Sequence, residues 1–305
     1  MPRNDTILYR PGSEDDSYTV FTIFEHSLAE LLKRLGSNAP TSYDDPMALA
    51  RMWEERKSLY SHLANTAYQF WIAERVGQVV GFSRSIIRGG LLILTELFVL
   101  PNQQSGGIGK ELLRRAFEVK STQYQSIVAS TDFRAQALYL KSGVYPRFLI
   151  YYFGRLPEVV AVPTGITFEP IKDDPAFLHL IGDLDEKVIG HRRDIDHSWL
   201  IGDRNGYLYL KQDKPVGYGY LGIRNGPFVL LDPADFPAVL AHAEREAAIK
   251  ELNHFGIEVP MVNQVVVDYL LSRKFEIDSF TAVLMTNKPF GKFENYVLMS
   301  PPFFL

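Results

Sequence analysis

Leu94-Thr95-Glu96-Leu97-Phe98-Val99-Leu100-Pro101 runs into Asn102-Gln103-Gln104-Ser105-Gly106-Gly107-Ile108-Gly109-Lys110 and then Glu111-Leu112-Leu113. An apolar, β-prone run is stopped by a proline, passes through glycines, and reopens with leucines at helical spacing, which reads as strand, loop, helix. Gly106, Gly107 and Gly109 let the backbone turn tightly and approach a ligand with no Cβ in the way. The amides at the start of the helix have no partner inside it and point at whatever lies above. A phosphate there gains about 0.3–1 kcal/mol from the helix field, and up to roughly 2 kcal/mol when partly buried.

Two familiar phosphate loops fail on spacing. A Walker loop needs glycine at 104 and Ser or Thr at 111, where Gln104 and Glu111 stand. The dinucleotide fingerprint started at Gly107 needs a third glycine at 112, where the chain has Leu112. What remains is Q-x-x-G-x-G after a strand.

Working outward, three strands are expected at Tyr68–Glu74, Gln78–Ile87 and Leu91–Leu100, joined by turns at Val76-Gly77 and Arg88-Gly89-Gly90 into a meander. Ahead of them lie a strand at Thr6–Arg10 and two amphipathic helices. The first carries Val20, Phe21, Phe24, Leu28, Leu31, Leu32 and Leu35 on one stripe; the second starts at Pro46. Behind the glycine loop come its helix, a strand at Ser126–Thr131, a helix at Phe133–Ser142 and a strand at Phe148–Phe153. This is a mixed α/β layer order.

A Pro-, Val- and Ala-containing linker spans Leu156–Thr164, and then the order begins again. A strand at Ile166–Ile171 precedes helical segments reaching Leu200. Strands at Tyr207–Lys211, Pro215–Ile223 and Pro227–Leu231 follow, then a helix at Ala234–Leu252. A short strand near Ile257, a helix at Gln264–Arg273 and a strand at Ile277–Met285 complete the series. Asp132, Ala135, Tyr139, Gly143 and Val144 fall opposite Asn263, Val266, Leu270, Lys274 and Phe275 at one constant offset, as an internal duplication requires. Two domains are therefore expected, 1–156 and 165–305, as a chain of 305 residues also suggests.

Composition narrows the classes. Apolar residues make up 46% and charged residues 22%, an ordinary globular balance, and a net charge of −4 offers no basic field for nucleic acid. With no cysteine, disulfides, thiolate metal sites and a cysteine nucleophile are excluded. Met1–Tyr9 does not read as a signal peptide, and no apolar run approaches the roughly 20 residues that cross a bilayer. The expectation is a cytoplasmic protein with no membrane and no nucleic-acid partner.

Gln104-x-x-Gly107-x-Gly109 with its flanks resembles the acetyl-CoA pyrophosphate loop of the GNAT N-acetyltransferase superfamily, and the element order over about residues 6–153 fits that fold. Asp132-x-x-Ala135-x-x-Leu138-Tyr139-x-Lys141-x-Gly143 resembles the superfamily's N-x-x-A-x-x-x-Y-x-x-x-G helix, with Asp132 where asparagine is commoner. The whole chain resembles a tandem GNAT protein with a degenerate second domain. The resemblance implies that backbone groups of Leu97, Phe98 and Val99 bond the pantetheine arm. It implies that Gln104, Ser105, Gly106, Gly107, Ile108, Gly109 and Lys110 surround the pyrophosphate, and that Asp132 and Ala135 lie near the cofactor. Acetyl-CoA is then the cosubstrate and a small-molecule or peptide amine the acceptor, in a ternary complex, with a homodimer possible.

Single residues carry alternatives. The resemblance makes Tyr139 the acid that protonates the departing thiolate; otherwise it is a core aromatic, although its counterpart Leu270 shows that burial alone accepts an aliphatic side chain. Glu96 is either the base or amine contact, directly or through water, or a solvent-facing or salt-bridged strand carboxylate. Lys110 holds a phosphate or is a solvated lysine, and Arg84 and Arg88 are expected at the surface. Gly190-His191-Arg192-Arg193-Asp194-Ile195-Asp196-His197 holds two histidines and two aspartates but no compact metal-ligand spacing, so a solvated or interdomain turn is expected. With Asp185 upstream it resembles a G-x-x-R stretch of tandem GNAT C-terminal domains, as does Pro215–Pro227. Asp232-Pro233-Ala234-Asp235 gathers no glycine amides and two carboxylates, so no second donor site is expected there. Rival readings are a CoA-binding sensor without turnover and an interaction module.

Overall fold

The structure is a computed structural model that describes residues 6–36, 41–118 and 122–305. The first five residues of the stretch read as lacking a signal peptide lie outside the described residues. The chain divides into two compact units, residues 1–127 and 128–305, each taken in its own frame.

The first unit opens with β1 (Ile7–Pro11), α1 (Ser17–Arg34) and α2 (Pro46–Asn65). Of the stripe expected on α1, Val20, Phe21, Phe24 and Leu31 are buried and Leu28 and Leu32 half-buried, while Leu35, just past the helix end, is exposed. Asp45 caps α2, its carboxylate accepting from the Met47 amide at 2.9 Å, and Pro46 occupies the first turn, where its missing N–H costs nothing. Then come β2 (Gln69–Arg75), β3 (Gln78–Arg88), β4 (Leu91–Val99) and α3 (Ile108–Phe117), with β5 (Tyr124–Ser130) beginning in this unit. The sheet runs β1-β2-β3-β4-β5, antiparallel except for β4 with β5, so the expected meander is present. Gly89 and Gly90, with φ of 48° and 87°, make the two-residue turn between β3 and β4 whose hand matches strand twist.

Helix α3 is bound to the sheet in two ways. Ile108 and Leu112 pack with Ala73, Val80 and Val99 in one apolar cluster. The hydroxyls of Ser83 and Ser85 donate to the carbonyls of Leu112 at 3.0 Å and Ala116 at 2.6 Å. Successive side chains alternate faces along a strand, so β3 gives these serines to α3 and turns Arg84 to the other side.

The second unit holds α4 (Phe133–Lys141), β6 (Tyr145–Arg155), β7 (Thr167–Pro170), α5 (Pro175–Val188), α6 (Asp194–Asp203), β8 (Asn205–Lys211), β9 (Lys214–Leu221) and β10 (Phe228–Leu230). After these come α7 (Phe236–Ile249), β11 (Phe255–Pro260), α8 (Gln264–Ser272), β12 (Glu276–Thr286) and β13 (Tyr296–Val297). A five-stranded sheet runs β13-β10-β9-β8-β7. Strand β6, which closes the first run of elements in sequence, lies antiparallel to both β11 and β12 of the second run. The core below gathers Phe153, Leu230, Phe236, Leu240, Val259 and Leu270.

The duplicated stretches match in detail. Asp132 and Asn263 cap α4 and α8, their side chains accepting from the amides of Arg134 at 2.8 Å and Val266 at 3.2 Å. Both helices end at a residue in left-handed conformation, Gly143 with φ 82° and Lys274 with φ 61°. The lysine pays the Cβ strain that glycine avoids, about 1–2 kcal/mol. Beyond Met285 the sequence suggested no element, and β13 there is only two residues long, too short for any periodicity to show.

Candidate functional site

In the first unit, β4 delivers Leu97, Phe98 and Val99 opposite Ser83, Phe82 and Gly81 of β3. A Cβ on Gly81 would stand 2.8 Å from the Phe98 carbonyl oxygen, so the glycine lets the two backbones close at this point. Within this unit the parallel ladder to β5 runs from Leu91↔Tyr124 to Leu94↔Ile127, ahead of these three residues. The Phe98 ring meets Phe24 of α1 edge-on at 4.9 Å and Phe82 at 5.9 Å, which fixes the strand's far end against the helix layer.

The loop then turns up to α3. The Gln104 side-chain amide donates to the Val99 carbonyl at 3.0 Å and ties the loop back to the end of β4. Ser105, with φ 68°, and Gly107, with φ 84°, both take the left-handed conformation. Gly107 is the N-cap of α3, a position where no side chain supplies a capping bond. Among the described residues, none of the backbone amides from Gln104 to Lys110 finds an acceptor in the protein. A Cβ built on Gly106 or Gly107 meets nothing within 4 Å, so the ground before these amides is open. Ile108 is buried and anchors the loop, while Ser105, Gly106, Gly107 and Lys110 are exposed. Glu111 brings a negative charge into the first turn, but Arg114 at 2.7 Å and Arg115 at 2.8 Å take its carboxylate and hold it well below its usual range. The result is a concave run of unsatisfied donors at a positive helix end, which is what a polyanion binds.

Glu96 sits one residue before this segment and has no solvent exposure at its side chain. Its Oε2 accepts from Arg84 Nε at 2.7 Å and lies against Nη2 of the same guanidinium. Burial pushes its carboxyl up, while Arg84 and the Tyr60 hydroxyl pull it back. Of the two roles open to Glu96, this geometry is that of the salt-bridged carboxylate.

The surface placement expected for Arg84 and Arg88 is corrected. Arg84 is fully buried and Arg88 nearly so, its Nη2 donating to Thr66 at 2.8 Å. The reason lies in register. Counted straight back from the Gly89-Gly90 turn, Arg84 would oppose Thr95. A β-bulge makes Thr95 an extra residue and brings Glu96 opposite Arg84 instead. Opposed residues share a face, so each charge finds its partner inside.

In the second unit, α4 carries Asp132, Ala135 and Tyr139 along its length. Tyr139 is buried, and no partner for its hydroxyl exists among the described residues. Burial raises its pKa above that of a free tyrosine, and the Asp132 charge adds to the effect, so the hydroxyl keeps its proton at neutral pH. Asp132 is engaged as helix cap and as the ion-pair partner of Arg134 at 3.1 Å. Ala135 is half-buried, one turn further on.

The cluster expected as a solvated turn is also corrected. Arg193, His197 and Asp196 are buried, with Asp185 beneath them. Asp185 accepts from Arg193 Nε at 2.9 Å and Nη2 at 3.1 Å, from His197 Nε2 at 2.7 Å and from the Tyr218 hydroxyl. Arg193 donates further to Tyr296 at 2.9 Å and Tyr218 at 2.8 Å, and His197 Nδ1 meets the Tyr220 hydroxyl at 3.0 Å. Burial alone would raise the Asp185 pKa, but Arg193 and His197 outweigh it and hold the carboxylate charged. Beside Asp185 and the G-x-x-R stretch, the sequence signal for this network was the alternation Gly217-Tyr218-Gly219-Tyr220, which puts both tyrosines on one face of β9. Among the described residues no group of three or more His, Asp or Glu side chains is placed to hold a metal ion. Ahead of α7, Asp232 accepts from the Ala234 amide at 2.9 Å and Asp235 pairs with Lys211 at 2.7 Å. Carboxylates thus stand where α3 offers bare amides.

Comparison with known proteins adds three findings. Residues 66–144 match the family model described as an acetyltransferase (GNAT) domain. Among curated proteins, no sequence matches. Among solved structures, a Pyrococcus horikoshii protein assigned to the acetyltransferases superposes with a TM-score of 0.71 at 17% identity, over 95% of this chain and 92% of its own. A tandem GNAT protein from the clavulanic acid biosynthesis pathway gives 0.61 at 14% identity, over 93% and 99%. A GCN5-related N-acetyltransferase from Sphaerobacter thermophilus gives 0.59 at 12%, over 94% and 97%. At these identities the likeness is one of fold. No helix among the described residues is long and apolar enough to cross a membrane.

Proposed function

We propose that this chain, a GNAT protein of the tandem form, transfers an acetyl group from acetyl-CoA to an amine by direct attack in a ternary complex. The observation that carries the reading is the row of unaccepted amides from Gln104 to Lys110 before open space at Gly106 and Gly107. Those residues would hold the pyrophosphate, and Leu97, Phe98 and Val99 the pantetheine arm. When bound, the thioester supplies an activated acyl carbon.

The chain's own part is positioning and proton management. An amide at Phe98 or Val99 would stabilise the charge that grows on the carbonyl oxygen. Tyr139, its buried phenol protonated at neutral pH, would give its proton to the departing thiolate as the C–S bond breaks, and the proton that the amine sheds as the C–N bond forms would return through water to the phenol. Asp132 and Ala135 would lie along the cofactor arm. With neither a cysteine nor a Ser-His pairing evident, no covalent intermediate on the protein is invoked. We take 1–156 as the catalytic domain and 165–305 as its companion, which braces it or shapes the acceptor pocket. The capped start of α7 supports a single donor site, and the pairing of β6 with β11 and β12 supports the bracing role. A cysteine-free chain suits the cytoplasm.

The test has two stages. Titration calorimetry with CoA and acetyl-CoA must show saturable heat, and a thiol-release assay across an amine panel must show turnover. Binding without release for any amine would leave a CoA sensor; no binding would end the proposal.

A further inference from the structure

Resting on that reading, we propose that Glu96 acts through Arg84 as a positioning residue, pinning the bulged end of β4 in the register from which Leu97, Phe98 and Val99 meet the donor.

A general base must reach a proton on the substrate and pass it on. Neither the Glu96 nor the Arg84 side chain has any solvent exposure, and Oε2 is taken by the guanidinium at 2.7 Å. Oε1 is equally shut off from solvent, so to act as a base the carboxylate would have to leave the core, breaking the ion pair and stranding a guanidinium there.

What the pair does hold is visible in its neighbours. Arg84 is itself fixed from two elements: Nη1 donates to the Tyr60 carbonyl of α2 at 3.1 Å, and the guanidinium lies 5.3 Å from the Tyr60 ring and 4.9 Å from the Phe70 ring of β2. Through Arg84, then, Glu96 is tied to α2 and β2 as well as to β3. Thr95 closes the arrangement, its hydroxyl donating to the Arg84 carbonyl at 3.0 Å. Thr95 is also the extra residue of the bulge.

A bulge is a place where a strand can pair in two ways, and a slip of one residue sends every side chain beyond it to the opposite face. Beyond this bulge lie Leu97, Phe98 and Val99. A slip would pull Phe98 off Phe24 and Phe82 and re-aim the backbone groups of all three residues. Arg84 and Glu96 can meet only in the bulged register, because the straight one sets Thr95 opposite Arg84. The ion pair thereby selects the register by charge.

The test uses Glu96→Gln, Arg84→Met and the double variant Arg84→Met/Glu96→Leu in the full chain, with acetyl-CoA as probe in calorimetry. Each variant is expected to weaken acetyl-CoA binding about tenfold or more, the apolar double included, since leaving no buried charge alone restores stability but no longer selects the register. A base takes no part in holding the donor, so Glu96→Gln binding acetyl-CoA as the parent does would overturn the proposal. A double variant that binds acetyl-CoA as the parent does would do the same, because the pair would then only keep a buried charge from standing alone. Hydrogen exchange of the unliganded protein gives a ligand-free reading: amides at 97–99 should exchange about tenfold faster in all three variants, with β1 unmoved. Uniform exchange changes would mean a purely global role and refute the pinning. If the parent protein gives no heat with CoA, the donor-site reading fails, while the exchange measurement still decides the register claim.

Discussion

Gly106→Asp isolates the electrostatics of the proposed donor loop. The site suits the experiment because Gly106 does not share the left-handed backbone of Ser105 and Gly107, and a Cβ there touches nothing within 4 Å. A side chain can therefore be added without strain or clash, and the fold should survive. At neighbouring Gly107, with φ 84°, any side chain would cost about 1–2 kcal/mol of stability and confuse the result. A carboxylate within the run of bare amides would lie roughly 5 Å from a phosphate held by them. Coulomb repulsion at that distance is about 0.8 kcal/mol in water and about 3 kcal/mol at the effective dielectric of a protein surface. The helix field gives a phosphate only about 0.3–2 kcal/mol, so the added charge competes with it on equal terms. Acetyl-CoA affinity should fall about 10- to 100-fold at low salt.

Calorimetry at about 20 mM and about 500 mM salt separates charge from shape, since screening over such a range removes much of a surface repulsion. Gly106→Asn is the control of equal size without the charge and should bind within about threefold of the parent. An acetylated pantetheine fragment, which lacks the pyrophosphate, should bind the Asp and Asn variants alike. If Asp and Asn variants bind acetyl-CoA equally, or if the loss does not shrink with salt, the pyrophosphate does not sit on this loop.

Three further outcomes are expected. Tyr139→Phe should lower turnover about 100-fold or more while leaving acetyl-CoA affinity unchanged; in the parent protein kcat should show no falling limb up to about pH 9, because burial raises the phenol above its ordinary value near 10. Asp185→Ala should cost about 3–5 kcal/mol in urea unfolding, by stranding the Arg193 guanidinium in the core, and added zinc or manganese should restore nothing. Burial and the nearby Arg193 charge hold His191 down to about 4, although its Nδ1 faces the Ile189 carbonyl at 3.2 Å, which works the other way. The unfolded chain therefore takes up a proton between about pH 6.5 and pH 4 that the fold refuses, so stability falls with pH across that window by about 3 kcal/mol, and His191→Gln should remove that part of the acid slope.

What the sequence shows plainly is whatever depends on local chemistry. The glycine loop and its helix were legible because backbone freedom, helix start and strand end are all written within about a turn of one another, and the structure returns them at Leu91–Val99 and Ile108–Phe117. The caps at Asp45, Asp132 and Asn263 belong to the same class, since each side chain serves an amide two or three residues ahead. Strand partners are another matter. Nothing local in Tyr145–Arg155 says that it will lie between β11 and β12, more than a hundred residues further along. Pairing of that range is set by which hydrophobic faces remain uncovered once the rest has folded.

The misread arginines show why charge is the hardest property to place. Arginine is mostly exposed in proteins and enters a core only when paired, so a lone Arg84 or Arg193 in a sequence is assigned to the surface. The partner that reverses this stands on another element in each case. For Arg84 it is Glu96, brought opposite only because one extra residue is inserted at Thr95. For Arg193 it is Asp185, at the end of α5, together with hydroxyls from β9 and β13 that lie far along the chain. Burial of these arginines is therefore a property of register and topology, and a sequence read residue by residue holds neither. The same logic makes such pairs good determinants of a single structure. An apolar strand slipped by one residue still buries something, whereas a guanidinium moved off its carboxylate has no second place to go. Where β4 hands its last residues to the donor loop, the difference between the two registers is the difference between Glu96 facing Arg84 and Thr95 facing it, and only the first leaves no charge unpaired.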